Sequence, residues 1–197
     1  MTSPEVSILL PTYNAKSHIE SCIGSLTRQK FQDFEIIAVD DGSTDGTIEY
    51  LEDCEDVRLF VRTNADDGLP GALNYGIQRA RGKYIARQDA DDISYPTRLM
   101  RQVNFLEKNP SVALVGTAVD LLTPGGSKRT TRVPPAEPTL HSLIEKNMFV
   151  HGSVMFRRDA VLETGGYDVS FQYTEDYDLW LRLADDHPVR NIRTPLY

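Results

Sequence analysis

Three carboxylates crowd one short stretch of this chain. In KYIARQDADDISYP, residues 83–96, Asp89, Asp91 and Asp92 follow a short apolar-leaning run and are closed by Tyr95-Pro96. Acids this close repel one another unless a cation offsets them. Mg²⁺ or Mn²⁺ suits such a cluster, because hard cations prefer oxygen ligands and often bridge protein carboxylates to phosphates. A solvated acidic turn is the plain alternative, and the D-x-D spacing alone does not separate the two.

Two further acidic clusters raise the same question. Asp40-Asp41-Gly42-Ser43-Thr44-Asp45 also follows an apolar run. Ser43, Thr44 and Asp45 are good helix caps, and Thr44 or Asp45 takes that role. Asp40 and Asp41 are then spare at a strand end, where a carboxylate can accept from a base N–H or from ribose hydroxyls. The third cluster is Thr174-Glu175-Asp176-Tyr177-Asp178. Two acids in a first helical turn complement the macrodipole, but a third exceeds what capping needs. Glu175 and Asp176 sit about 100° apart on a helix, so they cannot both face one partner. One can act as general base toward an alcohol while the other braces the loop. Arg87 is expected to pair with a carboxylate, with contact to a diphosphate as the alternative, and His151 to be a hydrogen-bonded core residue, with a ligand or acceptor-site role as the alternative.

The elements that must position these groups can be read from apolar runs. Residues 6–10, 34–39, 57–61 and 83–86 read as strands, and helices are expected over 17–29, after residue 46, and over 72–81. Residues 64–71 read as a Gly/Asp-rich loop. Alternation of this kind marks a mostly parallel, doubly wound α/β sheet flanked by helices. Each cluster, and Pro11-Thr12-Tyr13-Asn14, follows a strand or opens a helix. Three strand-end clusters on one sheet edge share a crevice. The second half is more antiparallel in flavour. It reads as a helix over 96–109, strands over 112–122 and 128–133 about a turn at 123–126, a helix over 140–147, a strand over 150–157, a short helix capped by Asp159, and a helix over 175–186.

The 197 residues suit one domain, read in two halves at 1–95 and 96–197. A net charge of -8 without a basic run argues against a nucleic-acid partner. Cys22 and Cys54 lack metal or redox spacing and read as reduced thiols in helices. No run approaches the roughly 18 apolar residues of a membrane span, and the N-terminus lacks signal-peptide features. The expectation is a cytoplasmic chain, with peripheral attachment at the inner face of a membrane left open. G-x-G-x-x-G after the first strand and G-x-x-x-x-G-K-[ST] are both absent. A nucleotide here needs its phosphates neutralised by other means, and a metal at Asp89 and Asp91 would do that.

Six pieces of the chain, in order, resemble the family-two glycosyltransferases: VSILLPTYN at 6–14, VDDGSTD at 39–45, NYG at 74–76, GKYI at 82–85, DADD at 89–92 and TEDYDLW at 174–180. The resemblance implies a GT-A-type, Rossmann-like fold and inverting transfer of a sugar from a nucleoside diphosphate, usually UDP, to a hydroxyl of a glycan or lipid-linked acceptor. Pro11, Thr12, Tyr13, Asn14, Asp40, Asp41 and Asp89 would hold the nucleotide. Asp91, with Asp89, would hold Mn²⁺ or Mg²⁺. Asp176 would be the base and Glu175 the supporting acid. Family members continue beyond the point matching Tyr197 with further acceptor-side and sometimes metal-contacting residues. The Q-x-x-R-W motif and membrane helices of the processive synthases do not occur. The expectation is a non-processive enzyme, or a fragment of a larger one, in cell-surface polysaccharide or glycoconjugate synthesis. The alternatives are a nucleotidyltransferase, which would want a Gly-rich basic loop after the first strand, and a catalytically silent nucleotide-sugar or glycan-binding module.

Overall fold

A computed structural model of the protein describes residues 3–61, 68–123 and 126–197. The first half alternates β1 (Val6–Thr12), α1 (Ile19–Thr27), β2 (Phe34–Asp40), α2 (Thr47–Glu52), β3 (Val57–Val61), α3 (Gly68–Arg79) and β4 (Tyr84–Arg87). All pairings among these strands are parallel, in the order β3-β2-β1-β4. The second half supplies α4 (Arg98–Lys108), β5 (Leu114–Leu122), β6 (Lys128–Arg132), α5 (Leu140–Glu145), β7 (Met155–Arg157), α6 (Arg158–Glu163), α7 (Glu175–Asp186) and β8 (Val189–Pro195). Strand β7 lies between β4 and β5 and runs antiparallel to both; β6 is antiparallel and β8 parallel to β5. The fold is thus the expected α/β sheet, with a parallel core and a smaller antiparallel part.

Strands β1, β2 and β4 are largely apolar because both faces of the sheet are covered there. Alternation sorts their side chains into two cores. Val6, Ile8 and Leu10 join Ile36, Ala38, Tyr84 and Ala86 on one face, packed with α1 and α4. Leu9, Ile37, Val39 and Ile85 face the other way, against Leu73, Ile77, Phe149, Phe156 and Trp180. Helix α3 approaches β1 closely at Gly76, where any Cβ would overlap the Leu9 side chain.

Several local expectations are corrected. Residues 150–157 do not form one strand: residues 151–153 make a 3-10 turn and only Met155–Arg157 pair as β7. His151 therefore opens a turn. The N-cap of α2 is Gly46, not Thr44 or Asp45, although Asp45 Oδ1 still accepts from the Thr47 N–H at 3.1 Å. The N-cap of α6 is Arg157, and Asp159 lies in its first turn. Cys54 follows α2 instead of lying in it. Helix α3 starts at Gly68, so the loop expected over 64–71 is helical from residue 68, and 64–67 lie outside the described residues. Of the turn at 123–126, residues 124 and 125 also lie outside them. Strand β8 had no expectation at all. Among the described residues no helix is long and apolar enough to cross a membrane.

Candidate active site

The carboxyl ends of β1, β2 and β4 open on one cavity of about 460 Å³. Pro11, Thr12, Tyr13 and Asn14 line one side, Asp41 another, and Arg87, Asp89 and Asp91 the third. Parallel pairing puts these strand ends level: Thr12 lies beside Asp40, and Leu9 beside Arg87. This is where ligands sit in open α/β sheets.

The two aspartates after β2 have different tasks. Asp40 is fully buried. Its Oδ2 accepts from Thr12 Oγ1 at 2.7 Å and Ser43 Oγ at 2.6 Å, and its Oδ1 accepts from the N–H groups of Gly42 and Ser43. Asp40 shapes the turn and does not line the cavity, so it is not spare as expected. Asp41 is the member of the pair that does. Asn14, in the left-handed region at φ 48°, ties the two loops: its Oδ1 accepts from the Thr44 N–H at 2.9 Å and its own N–H donates to Ser43 Oγ at 2.8 Å.

The 89–92 turn is held from beneath by buried polar groups. Gln88 Nε2 donates to the carbonyls of Asp89 and Asp92, both at 3.0 Å. Gln88 Oε1 accepts from Ser94 Oγ and from Arg98 Nη1. Arg98 is fully buried, and burial pulls its pKa down to about 10. The Asp89 N–H donates to Tyr197 Oη at 3.0 Å, and Cys22 Sγ reaches the Asp89 carbonyl at 3.4 Å. A Cβ on Gly152 would strike Tyr197 Oη and Asp89 Oδ2, so the 3-10 turn must carry glycine there. Asp91 also borders a second, larger cavity of about 740 Å³ with Asp92, Tyr95, Leu121 and Tyr197. Burial raises the Asp92 pKa, with Asp89 and Asp91 adding to the effect.

Gln88, Arg98, Tyr197 and Gly152 had no expected role. For Arg98 a signal existed: Arg98 and Gln102 stand four apart within the apolar stripe of α4 with Leu99, Val103 and Leu106. Polar residues in a buried stripe are bonded to something. Tyr197 offered no such signal, because β8 brings it to Asp89 across 108 positions.

Helix α7 begins where expected, with Thr174 as N-cap but without a side-chain cap bond. Asp178 pairs with Arg182 at 2.5 Å, and Arg182 also donates to the carbonyls of Thr164 and Gly166. That explains the third acid of the turn. Glu175 is 5% exposed, and burial raises its pKa. Asp176 Oδ2 accepts from Asn147 Nδ2 at 3.1 Å and Oδ1 from the Tyr177 N–H. Neither Glu175 nor Asp176 lines the 460 Å³ cavity. On the cavity side Arg87 Nη1 is 2.5 Å from Asp89 Oδ1, and behind it the ring of His151 stands between Tyr167 Oη and Glu175 Oε1. Asn74 fixes Tyr167 by bonding both its N–H and its carbonyl.

His151 is hydrogen-bonded, as expected, and mostly buried at the edge of the core: Nε2 is 2.9 Å from Tyr167 Oη, and Nδ1 is 4.0 Å from Glu175 Oε1. Burial, and then the charge of Arg87, hold its pKa well below the usual histidine value. Below pH about 6.5 the unfolded chain therefore binds a proton that the folded chain refuses. Stability falls as pH drops through that window, by up to about 1.4 kcal/mol per pH unit. The expected result for His151→Gln is loss of that slope: between pH 7.0 and 5.5 its urea midpoint should fall less than the wild-type midpoint. Equal shifts would place the titrating group elsewhere.

The structure holds a partial donor set for a divalent ion. Among the described residues no group of three or more His, Cys, Asp or Glu side chains could hold a metal. Asp91 lines the cavity, and Asp89 beside it is bound to Arg87. One or two carboxylates are what Mg²⁺ or Mn²⁺ takes from a protein when phosphate oxygens and water complete its shell. The residues fit a cation of that kind and do not form an all-protein cage.

Comparison with known proteins gives the family and the fold. The family description "Glycosyl transferase family 2" matches residues 7–166. The amylovoran biosynthesis glycosyltransferase AmsE of Erwinia amylovora is 35% identical over 193 residues, covering 94% of this chain and 72% of the relative. The O-antigen biosynthesis glycosyltransferase WbnJ of Escherichia coli is 31% identical over 194 residues, covering 95% and 74%. The structure of S. aureus TarS 1-349 in complex with UDP superimposes with a TM-score of 0.82 at 18% identity, covering 98% of this chain and 59% of that one. A likeness at that identity speaks to fold: a GT-A-type sheet with a parallel core. The chain thus spans about three fifths of that solved neighbour. With the family description spanning most of its length, this chain belongs to glycosyl transferase family 2.

Proposed function

We propose that this chain carries the donor site of a metal-dependent, inverting, non-processive glycosyltransferase. It would move a sugar from a nucleoside diphosphate, most simply UDP, to a hydroxyl of a glycan or lipid-linked acceptor in cell-surface polysaccharide synthesis. The observation that carries the reading is the single cavity at the ends of β1, β2 and β4, which Asp41 and Asp91 both line. Support comes from similar proteins: TarS has been captured with UDP and with UDP-GlcNAc, and a Pyrobaculum calidifontis mannosyltransferase with GDP-Man and Mn²⁺. AmsE and WbnJ are named for amylovoran and O-antigen biosynthesis.

In this reading Pro11 to Asn14 and Asp41 receive the base and ribose, while Asp40 shapes the loop that presents Asp41. Asp91, with Asp89, would hold Mn²⁺ or Mg²⁺, which when bound stabilises the charge on the departing diphosphate. Asp176 takes the proton from the acceptor hydroxyl as its oxygen attacks the face of the anomeric carbon opposite the diphosphate, which inverts that centre. Burial disfavours the charged form of Glu175, in keeping with a supporting role. Phe171 and Tyr173, exposed just before α7, offer ring faces to an acceptor sugar.

Calorimetry with UDP, with and without Mn²⁺, tests the reading. UDP should bind in the presence of Mn²⁺, and Asp91→Asn should weaken that binding by roughly tenfold or more, as loss of one opposite charge does. UDP binding unaffected by the metal would remove the metal-dependent donor site; GDP in parallel tests the choice of base. A silent binding module has one observation in its favour, since Asp176 lies outside the donor cavity. Metal-dependent UDP binding with no hydrolysis or transfer of any nucleotide sugar would select that reading.

A further inference from the structure

Two arginines lie buried side by side under the acidic turn, and they are not alike. Arg98 is fully bonded: Nε to Gln102, Nη1 to Gln88 and Ser94, and Nη2 to the carbonyls of Arg87 and Val154. It is a structural guanidinium. Arg87 is equally buried, at 2% exposure, yet its Nε and Nη1 have no aligned hydrogen-bond partner among the described residues. Its contact with Asp89 Oδ1 is short, at 2.5 Å, but poorly directed. Charge holds that contact more than bond geometry does. Arg87 also lines the donor cavity. A buried guanidinium with unmet N–H groups is costly, and one that borders a cavity has an evident place for a missing acceptor.

We propose that Arg87 is a latch on Asp89 that couples cation binding to nucleotide binding. It rests on the reading of Asp89 and Asp91 as the cation site. Without nucleotide, Arg87 occupies the Asp89 carboxylate, and a divalent cation meets one free carboxylate, Asp91, beside a fixed positive charge. Bare metal binds weakly. A cation arriving with a diphosphate changes the exchange: phosphate oxygens give the Arg87 N–H groups the acceptors they lack, and Asp89 is released toward the cation or the ribose. Arg87 is therefore a positioning residue that acts through Asp89. It makes the site select the metal–nucleotide complex over either component, and by linkage the coupling is the same read from either ligand.

The latch predicts a sign that ordinary structural damage would not produce. Arg87→Gln should bind Mn²⁺ alone roughly tenfold more tightly than wild type, the low end of what one neighbouring charge does to a carboxylate. The tightening that UDP confers on Mn²⁺ should shrink by a similar factor. Arg87→Lys keeps the charge and should stay within about threefold of wild type for Mn²⁺ alone. A second variant covers the case in which Arg87→Gln does not fold. In Asp89→Asn, Mn²⁺ alone should bind within about threefold of wild type, because Asp89 is already occupied, whereas Mn²⁺ in the presence of UDP should bind roughly tenfold more weakly. Titration calorimetry, or the spin signal of free Mn²⁺, reads all of these without turnover, alongside thermal melts. Unchanged or weaker binding of Mn²⁺ to a folded Arg87→Gln protein overturns the latch while metal-dependent UDP binding by wild type stands. Tenfold weaker binding of Mn²⁺ alone to Asp89→Asn overturns it too. If wild type and Arg87→Gln bind neither Mn²⁺ nor Mn²⁺ with UDP, the cation site is wrong and the latch falls with it.

Discussion

Asp176→Asn should lower turnover by about 10²–10⁴-fold and leave UDP affinity in the presence of Mn²⁺ nearly unchanged. The separation follows from where the side chain sits. Asp176 does not line the cavity formed by the strand ends, so removing its charge alters no donor contact. Its carboxylate is held by Asn147 Nδ2 and by the Tyr177 N–H. An asparagine oxygen can keep one of those bonds, so the folded state loses only about 1 kcal/mol. What disappears is the group able to take the acceptor's proton. The paired substitution Glu175→Gln should cost far less in turnover, because that buried carboxyl is biased toward its neutral form. Initial rates with a competent donor, beside UDP calorimetry on the same preparations, decide the matter. If UDP affinity falls with turnover in Asp176→Asn, the residue belongs to the donor site and its role as base is wrong.

Trp180→Ala is expected to destabilise the fold by about 3–5 kcal/mol, the cost of truncating a buried large aromatic. Trp180 is fully buried, with Phe149, Phe156, Tyr167 and His151 all within 6.5 Å between ring centroids. Those rings join α7 to β7 and to the 3-10 turn at 151–153. The cavity left by the deletion would sit directly behind Glu175, His151 and Tyr167. For a chain of this size the loss corresponds to a fall in Tm of roughly 10 °C. Trp180→Phe should lose much less, because the indole Nε1 has no hydrogen-bond partner among the described residues and only ring area is removed. A thermal melt comparing the two separates packing from polar contact; equal losses would mean that the indole nitrogen has a partner after all.

The two cores explain why the architecture could be read so early. Strands such as Val6–Thr12 are apolar on both faces because helices cover both faces of the sheet, and that composition shows in a plain run of letters. The acidic strand ends were legible for a related reason: a carboxylate after a buried strand interrupts the run and stands out. Boundaries were less legible where the backbone chose for tertiary reasons. The segment 150–157 is apolar enough for a strand, but His151-Gly152-Ser153 coils into a turn that passes under the Asp89 carboxylate, with room only for glycine. Strand β8 carries Arg190, Asn191 and Arg193 among few apolar residues, and becomes a strand by pairing with β5.

The division of labour among similar side chains was beyond any local reading. Asp40 and Asp41 are neighbours of one type, yet one is enclosed by Thr12, Gly42 and Ser43 while the other faces the cavity. Arg87 and Arg98 differ in the same way, one short of partners and one saturated. Hydrophobic periodicity is a property of consecutive residues, so the chain alone determined the parallel half of the sheet, most of its helices and the strand ends at which the acids gather. Which acid is enclosed, which arginine is short of hydrogen bonds, and that Tyr197 and Gly152 support the 89–92 turn depend on groups up to 108 positions apart. Only the folded packing, in which β8 and the 3-10 turn close beneath that turn, decided them.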